Sequence, residues 1–354
     1  MSEIASFRAK LKNLVTLLDD PEVTEIAING PGNVWAGYRG SRFMKPVQIE
    51  GVTTGLITSL GEVIAAHTGQ QVDSYTPILS GRIPINLAEG VPDNQRGDYR
   101  VQVVLAPAVE QHIGGIVCIR KPGIKQITLD EYQDTGAFEH INEPRLHSDY
   151  SDDHLIALYR AKRWKEFFIG IMKARKNIMI SAGTNAGKTT WLNGMLEHID
   201  PHERLVTIED TREIRTPNKN VVHLIYSRGG QGRAKVTPFD LLESILRLTP
   251  DRAIMGEIRG GEAFPFLELL NTGHSGSLSS IHSDSPEMMF DRLASMAARG
   301  GAEMNKSQLI EYSRQLIDVV IQWEYGFDGR RYISEVQYAK AGRLQELSAT
   351  RLLN

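Results

Sequence analysis

Residues 182–190 read Ala-Gly-Thr-Asn-Ala-Gly-Lys-Thr-Thr, between an apolar run at 177–181 and a helical pattern with apolar positions at Leu192, Met195, Leu196 and Ile199. That is a strand, a glycine-bearing loop and a helix, the opening unit of a phosphate-binding α/β domain. In this setting the loop amides and the positive end of the helix make a cradle for a triphosphate that needs no side-chain specificity. Gly183, Thr184, Asn185, Ala186, Gly187 and Thr190 shape the cradle, Lys188 reaches the β- and γ-phosphates, and the Thr189 hydroxyl completes the shell of a Mg²⁺ ion. Ala182 stands where the pattern asks for glycine, and Asn185 where many phosphate loops carry another. Ala is the smallest step up from Gly, and Asn tolerates left-handed backbone angles.

The chain has 354 residues, room for two domains with proper cores, and its 41% hydrophobic and 23% charged content is that of a soluble protein. A net charge of −3 gives no global attraction to nucleic acid or anionic membrane. A single cysteine, Cys118, excludes an internal disulfide and a cysteine zinc site, and allows a reducing, cytosolic setting. No long apolar run and no basic-then-apolar leader is present, so the expectation is a chain that is neither secreted nor membrane-spanning.

Residues 7–18 predict a helix with Phe7, Leu11, Leu14, Val15 and Leu18 on one face, stopped at Asp19-Asp20-Pro21. Strands are expected at 23–28 and 34–38, a helix through Leu56, Ile57, Leu60, Ile64 and His67, and two more strands at 100–105 and 115–120. These make an α+β domain over 1–122, and a linker and lead-in segment over 123–155 follows. From 156 to 354 strands alternate with helices, the mark of a mostly parallel sheet covered on both faces. Strands are expected at 205–208, at 252–256 and up to His282. Thr237-Pro238-Phe239-Asp240 opens a helix expected to bury Phe239, Leu242, Ile245 and Leu246, and a hairpin around Asp328-Gly329 pairs 319–323 with 332–338.

Ligands of open parallel sheets sit beyond the carboxyl ends of the strands, so residues just after each strand should converge on the nucleotide. Glu209, Asp210 and Glu213 follow one strand, Glu257 another and His282 a third. Mg²⁺ needs hard oxygen ligands, and Glu257 is the first candidate. A carboxylate must also orient the attacking water, and Glu213 or Glu209 can supply it, with Glu213 preferred. His274 and His282 frame Thr-Gly-His-Ser-Gly-Ser-Leu-Ser-Ser-Ile-His, whose spacing is no zinc pattern; sensing of the γ-phosphate is the functional reading and a structural histidine the alternative.

Four segments, Ala-Gly-Thr-Asn-Ala-Gly-Lys-Thr-Thr, Ile-Glu-Asp-Thr-Arg-Glu-Ile, Met-Gly-Glu-Ile-Arg-Gly-Gly-Glu-Ala and Thr-Gly-His-Ser-Gly, resemble in order and spacing the boxes of the type II/IV secretion traffic ATPases. The N-terminal Leu-Asp-Asp-Pro-Glu-Val-Thr-Glu-Ile-Ala-Ile-Asn makes the chain most similar to the ATPase of type IV secretion and conjugation systems. The resemblance covers nearly the whole chain. It implies a RecA-like P-loop NTPase domain behind the smaller α+β domain, a homohexameric ring, and ATP with Mg²⁺. It further implies inner-membrane channel components of a secretion system as partners, with the chain cytoplasmic and docked peripherally at the inner membrane. Arg100 in Arg-Val-Gln-Val-Val-Leu-Ala-Pro and Arg120 in Cys-Ile-Arg-Lys-Pro match first-domain arginines of the family. A guanidinium fork can stabilise charge on a departing γ-phosphate. Arg247, Arg252 and Arg259 are further candidates for subunit contacts or for bracing the acidic box.

The leading reading is a ring that hydrolyses ATP and drives pilus assembly and substrate passage through an envelope channel. The alternative is a hexameric nucleic-acid motor of the helicase type, for which basic loops interleaved with aromatics are expected. Arg-Gly-Gly-Gln-Gly-Arg-Ala-Lys at 228–235 is basic but holds no aromatic, so direct nucleic-acid binding is left open. A scaffold that binds ATP without hydrolysing it is the third reading.

Overall fold

A computed structural model describes residues 11–83, 98–122, 127–142, 150–184, 186–228 and 232–342. The chain divides into two compact units, 1–146 with 232–235, and 147–231 with 236–354.

The first unit runs α1 (Val15–Asp19), β1 (Val23–Gly30), β2 (Asn33–Tyr38), β3 (Lys45–Val47), α2 (Thr54–Thr68), β4 (Ile78–Ile83), β5 (Tyr99–Leu105), β6 (Gly115–Arg120) and α3 (Leu129–Asp134). Its strands form one sheet in the order β3-β2-β1-β6-β5-β4, antiparallel at every pairing. Helix α2 begins where the Thr53 side chain accepts a hydrogen bond from the Leu56 amide, and it ends at Gly69 in the left-handed region. Its buried face, Ile57, Leu60 and Ile64, packs in one core with Leu14, Leu18, Val103 and Val117. Edge strand β4 was not expected from the sequence. Its centre, Ser80-Gly81-Arg82, lacks β-branched residues, and Gly81 is required because a Cβ there would lie 2.7 Å from Ile64 Cγ2 of α2.

The second unit runs α4 (Asp152–Arg160), α5 (Trp164–Lys173), β7 (Ile178–Ala182), α6 (Lys188–Leu196), β8 (Leu205–Glu209), β9 (Val221–Ile225), α7 (Pro238–Leu248), β10 (Arg252–Ile258), α8 (Ala263–Asn271), β11 (Leu278–His282), α9 (Pro286–Arg299), α10 (Lys306–Leu316), β12 (Val319–Tyr325) and β13 (Arg331–Tyr338). The sheet order is β13-β12-β7-β11-β10-β8-β9. All neighbours are parallel except the β12–β13 hairpin. Strand β7 is buried at all five positions and α6 returns Leu192, Met195 and Leu196 into the same core. Helix α7 has the expected Thr237–Asp240 capping box. Its burial departs from the expectation: Leu241, Leu242, Ile245 and Leu248 face inward, while Phe239 and Leu246 are exposed. Pro238 starts the helix one residue before Phe239, and the inward stripe then falls on positions 241, 242, 245 and 248. Among the described residues no helix is long and apolar enough to cross a membrane.

The amino edge of this sheet is sealed by buried charge. Arg252 grips Glu203 with two bonds of 2.7 and 2.8 Å, Arg175 adds a third at 2.9 Å, and the Asp251 carboxylate accepts from the Arg204 amide at 2.7 Å. The Arg204 guanidinium is spent on the Leu248 carbonyl and Asn220. Removing one member of such a group strands the others in low dielectric. Glu203→Ala should therefore lower unfolding stability by about 3–5 kcal/mol, read from denaturant midpoints. A change below about 1 kcal/mol would mean that water reaches Arg175 and Arg252.

Candidate functional site

Four parallel neighbours, β7, β11, β10 and β8, deliver their carboxyl ends to one edge, and the phosphate loop leaves from the first of them. Helix α6 opens at Gly187, whose φ of +92° is left-handed, and no side chain caps it. Its first residue is Lys188, which is buried, at 9%. The Lys188 ammonium lies 3.1 Å from His282 Nδ1 and 3.4 Å from the Gly183 carbonyl. Burial pushes it below the usual lysine range, opposed by the charge of Glu257. Asn185 lies outside the described residues.

Glu257 sits in a bulge of β10, since Met255 pairs with Ser279 but Ile258 with Ile281. The extra residue aims its carboxylate at the edge. Glu257 Oε1 stands 3.1 Å from His282 Nε2, yet it is buried without a hydrogen bond of good angle. Glu257 Oε2 accepts from Arg259 at 2.7 Å. Burial raises the Glu257 pKa, with Lys188 and Arg228 opposing. Burial and the charges of Lys188 and Arg292 hold His282 below the ordinary histidine range. The ring is thus a neutral bridge between an ammonium and a carboxylate. Arg259 continues to Asp210 at 3.2 Å, which Arg228 meets at 3.0 Å. The result is one row of alternating charge from Lys188 to Arg228.

The two acids after β8 separate into different tasks. Glu209 is buried and turned back into its own loop, where it accepts from the amides of Glu213 at 2.7 Å and Ile214 at 2.6 Å, and from the Thr207 hydroxyl at 3.1 Å. Glu213 is exposed, and Asn193 of α6 clips its loop from the other side, donating to the Glu213 carbonyl and accepting from the Arg215 amide. Sequence reasoning missed Asn193. A polar residue on the outer face of a phosphate-loop helix was its only signal. Glu213, Glu257, Arg259, His282, Lys188 and the residues Thr184, Ala186, Gly187, Thr189 and Thr190 line one cavity of about 640 Å³.

Not every expected residue joins it. His274 lies before β11, at the amino edge of the sheet, where its ring accepts or donates at 3.0 Å to Thr272 and burial lowers its pKa. It precedes β11, whose far end carries His282, and it does not line the cavity around Lys188. Arg252 is in the amino-edge cluster, so of the three further arginines Arg259 alone braces the acidic row, and Arg247 is exposed on α7. In the first unit Arg100 and Arg120 are direct cross-strand partners, and Arg82 stands opposite Arg100. Like charges facing each other cost stability, and Glu25 of β1, opposite Arg120, offsets part of that cost.

A family model described as type II/IV secretion system protein matches residues 155–323. The type IV secretion system protein VirB11 of Brucella suis biovar 1 is 33% identical, over 94% of this chain and 90% of that protein. The chain belongs to the VirB11 family. VirB11 of Bartonella henselae is 30% identical over 95% of this chain and 93% of its own. A crystal structure of the Brucella suis VirB11 ATPase in complex with sulphate superposes with a TM-score of 0.84 at 31% identity, covering 96% of this chain and 97% of that one. The second unit accordingly has the RecA-like α/β fold of this family.

A titrating residue of β9 braces the Glu209 loop. His223 of β9 lies 2.8 Å from Thr207 Oγ1 and 2.6 Å from Arg212 Nη2; burial first, then Arg212, pushes its pKa from 6.5 to about 3. Between those values the unfolded chain binds the proton and the folded one does not, so this stability is whole above about pH 6.5 and is lost as the pH falls toward 3. The urea midpoint should drop between pH 7 and pH 5, and drop less in His223→Gln. Equal drops would remove His223 from the account.

Proposed function

We propose that this chain is a type IV secretion ATPase, hydrolysing ATP at the phosphate loop of its second unit to power transport across a bacterial envelope. Membership of the VirB11 family supports the function. The observation that carries the chemistry is the convergence of Lys188, His282, Glu257 and Arg259 on the uncapped start of α6. An ammonium resting on a carbonyl and a neutral imidazole can exchange both for phosphate oxygens, which restore the charge balance that burial denies it.

The residues fit a magnesium-bound triphosphate. Among the described residues no group of three acidic or histidine ligands could hold a metal by itself. That suits an ion held chiefly by phosphates and water. Glu257 Oε1, buried without a well-angled hydrogen bond, and the Thr189 hydroxyl are the oxygens that would complete its shell. When bound, the ion would draw charge from the β- and γ-phosphates. Arg259 holds Glu257 through its other carboxylate oxygen. Glu213 is the group free to orient the attacking water, and Glu209 is the residue that positions it. Arg100 and Arg120, as in the family resemblance, stabilise charge on the departing phosphate.

A homohexameric ring, channel proteins as partners and a cytoplasmic, peripheral place at the inner membrane follow from the same reading. The nucleic-acid motor is unsupported by these secretion relatives.

Turnover and binding separate the roles. Lys188→Ala should abolish phosphate release and weaken nucleotide binding with cooperative melting intact. Glu213→Gln should lower kcat by about 10²–10⁴-fold with binding retained. Wild-type phosphate release by both variants would refute an ATPase centred here, and turnover lost without any effect on secretion would favour a scaffold. Arg120→Ala should cut turnover by about 10³-fold or more and affinity far less; unchanged turnover would leave Arg120 a surface residue.

A further inference from the structure

The acidic groups all enter from one side of the phosphate loop. In the order β12-β7-β11-β10-β8, the strands β11, β10 and β8 bring His282, Glu257 and the Glu213 loop, and only the β12–β13 hairpin lies on the other side of β7. Neighbouring strands are about 4.8 Å apart, so β12 and β10, three steps from each other, are separated by about 14 Å along the edge. The cavity that holds Lys188, Glu257 and Glu213 extends toward β12, which leaves that side open to the nucleoside of a nucleotide whose γ-phosphate meets Glu257 and Glu213.

Tyr325 and Arg331 wait there. They are paired directly across the hairpin, both line the same cavity as Lys188 and Glu257, and the guanidinium stands 5.7 Å from the centre of the tyrosine ring. Tyr325 is 60% exposed at the end of a strand whose preceding inward residues, Val319 and Ile321, are buried. Trp323, two residues earlier on the same strand, closes a run of ring contacts with Trp191 and Phe168.

A bulge puts the arginine on this face. Gln322 pairs with Glu335 but Trp323 with Ile333, so β13 holds one extra residue, Ser334. With strict alternation Arg331 would share a face with Glu335 and oppose Val336 and Tyr338; the extra residue reverses that parity. The side chain then lies against Gly187, where a Cβ would be 3.2 Å from Arg331 Cδ. Bulge, glycine and exposed ring each serve one arrangement, a cationic stem over the start of α6 with an aromatic face beyond it.

We propose that Tyr325 and Arg331 form the nucleoside end of the site, Tyr325 stacking on the base and Arg331 passing between it and the first phosphate. This rests on the phosphate-loop reading and adds what holds the part of the substrate that is not phosphate. Base stacking on an aromatic ring contributes about 1–3 kcal/mol, so its loss is worth roughly 5- to 150-fold in affinity.

The test compares a non-hydrolysable ATP analogue with inorganic tripolyphosphate, which has the phosphates and no nucleoside, by calorimetric titration of the full chain with magnesium. Tyr325→Ala should weaken the analogue by about tenfold and leave tripolyphosphate within about twofold, and Tyr325→Phe should bind both as wild type does. In turnover assays KM for ATP should rise with kcat unchanged, the mark of binding lost equally from ground and transition states. Equal weakening of both ligands would make Tyr325 a support of the loop and overturn the proposal, as would an unchanged analogue affinity. Wild-type protein that binds neither ligand would instead overturn the phosphate-loop reading beneath it.

Discussion

Parallel pairing of β7, β11, β10 and β8 is the constraint behind every contact at the site, because strands that run the same way end on the same edge. Lys188, His282, Glu257 and Glu213 are distant in sequence and line one cavity only through that alignment. Alternation alone would not aim them all correctly. The bulge in β10 turns Glu257 outward and the bulge in β13 turns Arg331 inward, each by shifting the two-residue period by one.

The two edges of the sheet handle charge in opposite ways. At the amino edge Glu203 is saturated by Arg175 and Arg252 with short bonds, and the cluster is closed. At the carboxyl edge contacts are fewer. Lys188 rests on a ring nitrogen and a carbonyl, and Glu257 Oε1 is buried without a well-angled donor. Both edges bear the desolvation cost of buried ions, but the second leaves it incompletely offset, which is where an incoming metal-bound polyphosphate gains its advantage.

The loop after β8 shows how a rigid frame supports an exposed group. Arg212, His223, Thr207 and Glu209 are linked in turn by hydrogen bonds, and Glu209 ends the series on the amides of Glu213 and Ile214. Asn193 fastens the same loop to α6. Glu213 therefore has a fixed backbone and a free carboxylate beside the phosphate helix.

Strand, loop and helix around Lys188, the acids that end β8 and β10, and His282 were legible in the sequence because each depends on local patterning: an apolar run, a small-residue turn, a polar residue where burial stops. The separate tasks of Glu209 and Glu213 were not, since both follow the same strand and only the folded loop decides which one turns inward. Nor was the fate of His274, which shares a motif with His282 but is placed by β11 at the opposite edge. Tyr325, Arg331 and Asn193 left no motif because they reach the site through strand order, bulges and a helix-to-loop clip. Local sequence determines which elements form and where each stops. Which residues share a cavity is set by long-range pairing and one-residue shifts of register, whose energies are decided by partners far away along the chain.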